Sequence, residues 1–432
     1  VTPTTAAGVA AAVAGPPERG LIGRGLGRSY GDAAQNSGGR VVDLTGVGEP
    51  IDLDPTDGLV TVGAGVSLDH LMRRLVPQGW FVPVSPGTRQ VTVGGAVAAD
   101  IHGKNHHVDG SWCEHVESLT IHRPVDGRVV LDRHRDADDF WAAAGGMGLT
   151  GTIEAATVRL QPVETSRLLV DTDRTVDLDE TLDLLASGDE HYRYSVAWLD
   201  TLAAGRHLGR AVLTRGDTAP LEALAPADRR DPLAFNPGAP VPAPPWAPTG
   251  LVSRWTIRAF NELWYRKAPR RRRDEVQTIG AFFHPLDIAA DWNRLYGRHG
   301  FLQWQTLIPF GAEDLVRHVL ERLSGAGQPS FLSVLKRFGP GSPGPLSFPA
   351  PGWTLALDLP ARGSALGPLL DELDREVAAA GGRVYLAKDS RLDPDLVPAM
   401  YPRLADWQAR QRRIDPDGVL RSDLGRRLRL VA

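Results

Sequence analysis

The sequence predicts an α+β chain of two domains, on three observations. At 432 residues the chain is too long for one ordinary hydrophobic core. Up to about Leu160, short apolar β runs alternate with glycine-rich turns, whereas from about Val163 longer half-buried alternation takes over. Gly 47 and Pro 34 both exceed average usage, which fits a loop-rich α+β chain better than a helical bundle.

Taken in order, Thr4-Thr5-Ala6-Ala7 reads as the cap and opening of a first helix. A glycine-rich turn at Gly23 to Asp32 leads to a strand at Val41-Val42-Asp43-Leu44, and further strands read at Leu59 to Val62, Val91 to Val93, Ser118 to His122, Val129 to Leu131 and Gly151 to Leu160. In the second region Arg167 to Asp171, Tyr192 to Asp200 and Leu302 to Pro309 alternate as half-buried strands do. Helical patterns at Ala312 to Leu323 and Leu366 to Ala380 each end at a glycine. The Pro- and Ala-rich stretch 219–250 reads as a mobile loop, either a lid or a solvated excursion. Arg270 to Arg273 is by default a solvated charged face, with contact to anionic lipid as the functional alternative.

Three glycine clusters carry the chemistry: Gly23, Gly25 and Gly27; Gly94 and Gly95 within the stretch Ser85 to His107; and Gly145, Gly146 and Gly148. Any one reads as an ordinary turn, but together they suit one large phosphate-bearing ligand, whose charge is held by converging backbone N–H groups. A Rossmann unit is excluded, because the turn at Gly23 to Asp32 is followed by polar residues and a strand, leaving no room for the helix such a unit needs.

The net charge of −4 offers no field for nucleic acid. The single cysteine, Cys113, forbids an intrachain disulfide, so a reducing compartment is compatible. No run of eighteen apolar residues suggests a span, which points to a cytoplasmic protein or one peripheral at the inner membrane. The chain begins at Val1 without methionine, so a preceding signal segment and the periplasmic face stay open. His102, His106 and His107 with Asp100 and Asp109 invite a metal reading, but no Cys pair or H-E-x-x-H spacing supports it, and no metal is expected.

The segments GRGLGRSYGD, PGTRQVTVGGAVAADIHGKNHH, GLTG, ELWYRK, FHPLD, LSFPAPGW and YLAKDSR together resemble the decaprenylphosphoryl-β-D-ribose 2-oxidase family, the FAD subunits of decaprenylphosphoryl ribose 2'-epimerase, almost from end to end. That family is of the vanillyl-alcohol-oxidase type. The resemblance implies a two-lobed FAD-binding domain at 1–163, a substrate-binding domain with an antiparallel sheet and flanking helices at 164–382, and a C-terminal segment, 383–432, returning to the FAD domain. It further implies non-covalent FAD, a polyprenyl-phosphoryl pentose as substrate, a short-chain reductase as partner completing an epimerisation, and peripheral membrane contact.

Carried over position by position, the resemblance assigns flavin contacts to Gly25, Leu26, Gly27, Arg28, Ser29, Tyr30, Pro86, Gly87, Thr88, Gly94, Gly95, Ala99, Ile101, His102, Gly103, Gly148, Ile153 and Tyr385. It assigns the substrate side to Lys104, Trp198, Phe283, Gln303, Gln305, Lys336, Phe338, Thr354, Ala356 and Lys388, and catalysis to Lys388, His102 and Tyr30. A lysine placed after an apolar strand, as Lys388 is, presents an amine whose pKa burial can lower; the plainer reading pairs it on the surface with Asp389. Thr354, Ala356 and Phe283 depart from the family pattern, which has asparagine, cysteine and tyrosine there, and so bear on which sugar hydroxyls are matched. Two alternatives stand beside this reading: an alditol or aldonolactone oxidase acting on a small soluble sugar, and a non-catalytic module binding a nucleotide or anionic surface.

Overall fold

The computed structural model describes residues 1–48, 50–238, 241–242, 254–290, 292–330, 332–361 and 364–431. The first helix, α1 (Ala6–Val13), is capped by Thr5, whose side chain accepts from the Gly8 N–H, and it buries Val9 and Val13 against Leu21 and Val42. Those two residues belong to a parallel pair, β1 (Leu21–Arg24) and β2 (Arg40–Asp43), with no helix between.

A five-stranded antiparallel sheet follows. Its members are β3 (Ile51–Asp54), β4 (Leu59–Gly63), β5 (Val116–Arg123), β6 (Gly127–Asp132) and β7 (Thr152–Arg159), in the order β3-β4-β7-β5-β6. Helix α1 lies near β5 and β7, and α2 (Leu68–Leu75) buries Leu68, Leu71, Met72 and Leu75, the one-faced spacing of an amphipathic helix. The strand read at Val91 to Val93 is not formed. Thr92 touches Ser67 through one isolated bridge, but its hydroxyl accepts from the Gly95 N–H and starts a helix, α3 (Val93–Ala98). Capping overrides the β-branched propensity of these three residues.

The second sheet has eight strands, all paired antiparallel: β8 (Arg167–Thr175), β9 (Tyr194–Leu199), β10 (Ala211–Thr218), β11 (Arg271–Thr278), β12 (Phe301–Pro309), β13 (Ser333–Phe338), β14 (Gly352–Pro360) and β15 (Arg383–Val384). Their order is β11-β8-β10-β9-β13-β14-β12-β15. One face packs Leu335, Leu355, Leu357 and Leu359 in a core shared with α4 (Glu313–Gly325) and α5 (Leu366–Ala379), which supply Val316, Leu320, Leu370 and Leu373. Pairing sets the other face: Gln303 stands opposite Asp358, Gln305 opposite Ala356 and Lys336 opposite Thr354, so five polar side chains and Ala356 share one side.

Of the stretch 219–250, residues 219–238 are held against β8. Thr165 Oγ1 donates to the Ala219 carbonyl, Ser166 Oγ to that of Ala234, and Phe235 packs on the core of the N-terminal lobe. Residues 239–240 and 243–250 lie outside the described residues. The C-terminal residues run back across the N-terminal lobe: Trp407 on α6 (Leu404–Ile414) donates to the Ala142 carbonyl at 2.9 Å, and Leu420 bridges Leu21.

Candidate active site

The three glycine turns meet at α3. A Cβ on Gly25 would stand 2.0 Å from Thr92 Oγ1, so only glycine lets the first turn lie on the start of that helix. Beyond the helix's other end, the Gly145 and Met147 N–H groups donate to the Val97 and Ala98 carbonyls. Gly27 and Gly148 sit at φ +63° and +77°, the left-handed region. Gly87 has nothing within 4 Å of where a Cβ would stand, so the middle turn faces open space. Leu26, Gly27, Arg28 and Gly95 are exposed along the same concavity.

Where α3 stops, Asp100 takes a left-handed conformation, φ 40°, and gathers the Cys113 N–H at 2.9 Å and the hydroxyls of Ser111 at 2.8 Å, Ser342 at 2.9 Å and Ser347. This knot fixes Ile101-His102-Gly103. His102 is buried, ringed by Phe338, Phe348 and Tyr385 at centroid distances of 4.8, 5.5 and 5.2 Å. Its Nε2 lies 2.8 Å from Gln305 Nε2, which also donates to Thr354 Oγ1 at 3.1 Å. With the amide donating to both, the hydrogen-bond network assigns the imidazole proton to Nδ1, a buried atom without a partner in the protein. Burial first, then the charges of Lys336, His106 and Lys388, hold His102 well below the ordinary imidazole range, so it is neutral.

The sheet brings the polar residues to this ring. Gln303 Nε2 donates to Asp358 Oδ1 at 2.5 Å, Lys336 extends from β13, and the Lys388 amine lies 4.0 Å over the Tyr30 ring. The Tyr30 N–H donates to the Ala387 carbonyl at 3.0 Å, joining the first glycine turn to the lysine's own turn. Burial lowers Lys104 to about 7 and, with Lys388 beside it, Lys336 to about 8. Burial also lowers Lys388, which Asp358 pushes back up, while burial raises the Asp358 carboxyl and the Tyr30 phenol. Asp389 is not the partner of Lys388: it takes the N–H groups of Arg391 and Leu392 and pairs with Arg427 at 2.8 Å.

Other positions fall at the margins. Lys104 Nζ donates to the Phe282 carbonyl at 2.5 Å and lies 4.1 Å over the Phe282 ring. Phe283 is buried between Phe81 and Tyr194, with the Lys104 amine 5.9 Å from its centroid. Trp198 is half-buried and meets Trp264 at 6.5 Å. The other two histidines diverge: the Gly339 N–H donates to His106 Nδ1, and His107 Nε2 contacts the Tyr192 carbonyl at 2.8 Å. Among the described residues no group of three metal-ligating side chains converges. Nor is any helix there long and apolar enough to cross a membrane.

Asp358, Asp100 and Phe348 were not singled out from the sequence. The signal for Asp358 was present in PGWTLALDLP, where it follows Thr354 and Ala356 at the period of a strand and interrupts an apolar run.

The site's chemistry agrees with known proteins. Residues 1–131 match the FAD binding domain family. Over 416 residues, 96% of this chain and 90% of the relative, the chain is 46% identical to the decaprenylphosphoryl-beta-D-ribose oxidase of Mycolicibacterium smegmatis. A Streptomyces coelicolor protein of unassigned activity is 44% identical over 84% of this chain and all of its own length. By contrast, the L-gulono-1,4-lactone dehydrogenase of Mycobacterium tuberculosis is 27% identical over 45% of each chain. The fold is that of the Physcomitrella patens BBE-like 1 structure, with TM-score 0.65 and 16% identity, covering 98% of this chain and 89% of that one.

Proposed function

Because the chain belongs to the decaprenylphosphoryl-beta-D-ribose oxidase family and is an FAD-dependent oxidoreductase, we propose that it oxidises the 2'-hydroxyl of decaprenylphosphoryl-β-D-ribose, or a close polyprenyl-phosphoryl pentose, to the 2'-keto sugar. Residues 1–163 hold FAD without a covalent bond in this reading, and the sheet of 164–382 carries the substrate. The 2'-keto product then needs a short-chain reductase as partner to complete the epimerisation. FAD supplies the oxidant, accepting at N5 the hydrogen and electron pair of the carbinol C–H bond.

One observation carries the substrate: Lys104, Lys336 and Lys388 crowd around His102 with Gln303 and Gln305, a buried cationic patch beside amides. Three lysines depress one another unless an anion joins them, and a sugar phosphodiester supplies that charge while its hydroxyls pair with the amides. A small neutral sugar gives such a patch nothing to balance. Lys388 accepts the proton of the 2'-hydroxyl, His102 Nδ1–H donates toward the flavin, and Tyr30 supports the Lys388 amine from below.

The test is anaerobic reduction of the bound flavin. The wild type bleaches on adding decaprenylphosphoryl ribose, and acid precipitation releases its flavin intact. Lys388→Ala stays yellow but bleaches about 10²–10⁴-fold more slowly. A Lys388→Ala variant reduced at the wild-type rate would remove Lys388 from the reaction. Wild-type reduction by free alditols but not by the lipid-linked sugar would overturn the substrate.

A further inference from the structure

Asp358 is the one acidic side chain buried to 0% on the polar face of the eight-stranded sheet. Its Oδ1 takes the Gln303 amide, while its Oδ2 is buried with no hydrogen-bond partner. A neutral acceptor would serve Gln303 equally well, so the glutamine does not explain the charge. Among the described residues no arginine or lysine forms an ion pair with Asp358 within 4.0 Å. The cation acting on it is Lys388, across the Tyr30 ring. The phenols of Tyr30 and Tyr296 also face it, from the first glycine turn and from the segment before β12. Lys336 from β13 and His102 from the loop after α3 face Lys388 from the other side.

We propose that Asp358 is a positioning residue for Lys388: it stays a carboxylate through the reaction, holds the amine at the reacting hydroxyl, and stabilises the ammonium that forms there. The proposal rests on Lys388 as the base. In that step the substrate O–H bond breaks and an N–H bond forms at Lys388 Nζ, the carbinol hydrogen and its electron pair pass to FAD, and Asp358 neither gains nor loses a proton. The arrangement separates two tasks that one lysine among cations cannot perform alone. Burial and Lys336 keep the amine free to accept a proton, and Asp358 makes the protonated product tolerable.

The experiment compares wild type, Asp358→Asn and Asp358→Glu, all loaded with FAD, in anaerobic flavin reduction from about pH 5.5 to 9.5. In Asp358→Asn burial and Lys336 act on the amine unopposed, so the acid limb of the rate profile moves down by about one pH unit or more. The plateau falls about tenfold, because a less basic amine is a weaker base, while KM changes little. Asp358→Glu, which keeps the charge, returns the limb toward wild type. A second readout needs no turnover: acetylation of Lys388 by acetic anhydride, followed by mass spectrometry across pH, has its midpoint lowered in Asp358→Asn. Should that variant not fold, Asp358→Ser makes the same comparison. A limb and an acetylation midpoint unmoved in a folded, FAD-loaded variant, with Lys388→Ala inactive, would overturn the role of Asp358 alone. A Lys388→Ala variant of wild-type rate would overturn both readings.

Discussion

Ala356 stands half-buried opposite Gln305 on the polar face, at the position where relatives are expected to carry a cysteine. A thiolate there would be open to nitroaromatic compounds that capture pocket cysteines; a methyl group is not. The chain's single thiol cannot replace it. Cys113 is buried, its Sγ lies 3.5 Å from the Val97 carbonyl, and burial pushes its pKa well above the ordinary thiol value. Such compounds should therefore leave no covalent adduct on the wild type by intact-mass measurement, whereas Ala356→Cys should gain one. An adduct on the wild type would mean that Cys113 is reachable or that the pocket is misassigned. At this scale the sequence was legible where a residue sits in a local motif, as Lys388 does in YLAKDSR. It was silent on Asp358, whose role depends on Gln303, a partner 55 residues away across a strand pair. Spacing within one strand reveals a shared face, but not which strand lies beside it.

The turn Gly23 to Asp32 and the turn carrying Lys388 form one joint between distant elements. Besides the Tyr30 N–H bond to the Ala387 carbonyl, Arg427 bridges Asp32 at 2.7 Å and Asp389 at 2.8 Å. Gly31 is the tight point: a Cβ there would stand 1.8 Å from the Asp389 carbonyl oxygen and 2.9 Å from its carbon, both backbone atoms. Gly31→Ala must push the Lys388 turn away from the Tyr30 ring. It should cost about 1–3 kcal/mol of stability, read as a lowered thermal midpoint. It should also slow flavin reduction about 10²-fold, the usual penalty of a displacement near 1 Å at a reacting group. Wild-type values for both would mean that the two turns are not in contact. Elements with a full amphipathic stripe, such as α2 with Leu68, Leu71, Met72 and Leu75, are readable from spacing alone. Val91-Thr92-Val93 has the β-branched composition of a strand and was read as one, yet the Thr92 hydroxyl cap, a two-atom interaction, turns the chain into a helix. Composition is the weaker signal when a capping residue is followed by small residues that close the first turn easily.

Across the whole molecule, the buried histidines make the acid side the weak side. Burial lowers His106 and His284 to about 3 and His102 well below its ordinary 6.5, so all three are neutral in the native protein throughout the mildly acidic range. The unfolded chain protonates them below about 6.5 and therefore binds three more protons. The stability they contribute is complete above that value and is lost as pH falls toward 3. Two carboxyls act in the opposite sense. Asp374, raised by burial to about 6, and Asp358, also raised, keep protons in the native state that the unfolded chain releases above about 3.8. Three protons against two leaves about one, which corresponds to about 1.4 kcal/mol per pH unit in favour of the unfolded state as pH falls. Lys104, lowered to about 7, carries the same sign above neutrality, since the native state releases its proton before the unfolded chain does. The thermal midpoint, measured at fixed saturating FAD so that ligand linkage stays constant, should fall steadily from pH 7 to pH 5. His284, whose Nε2 meets Ser85 Oγ at 2.8 Å, can be replaced to test the source. In His284→Gln the slope should become shallower, because one of the three protons is removed from the balance. A midpoint that is flat or rises toward pH 5 would mean that these imidazoles take up protons in the folded protein, and that the ring around His102 is open to water.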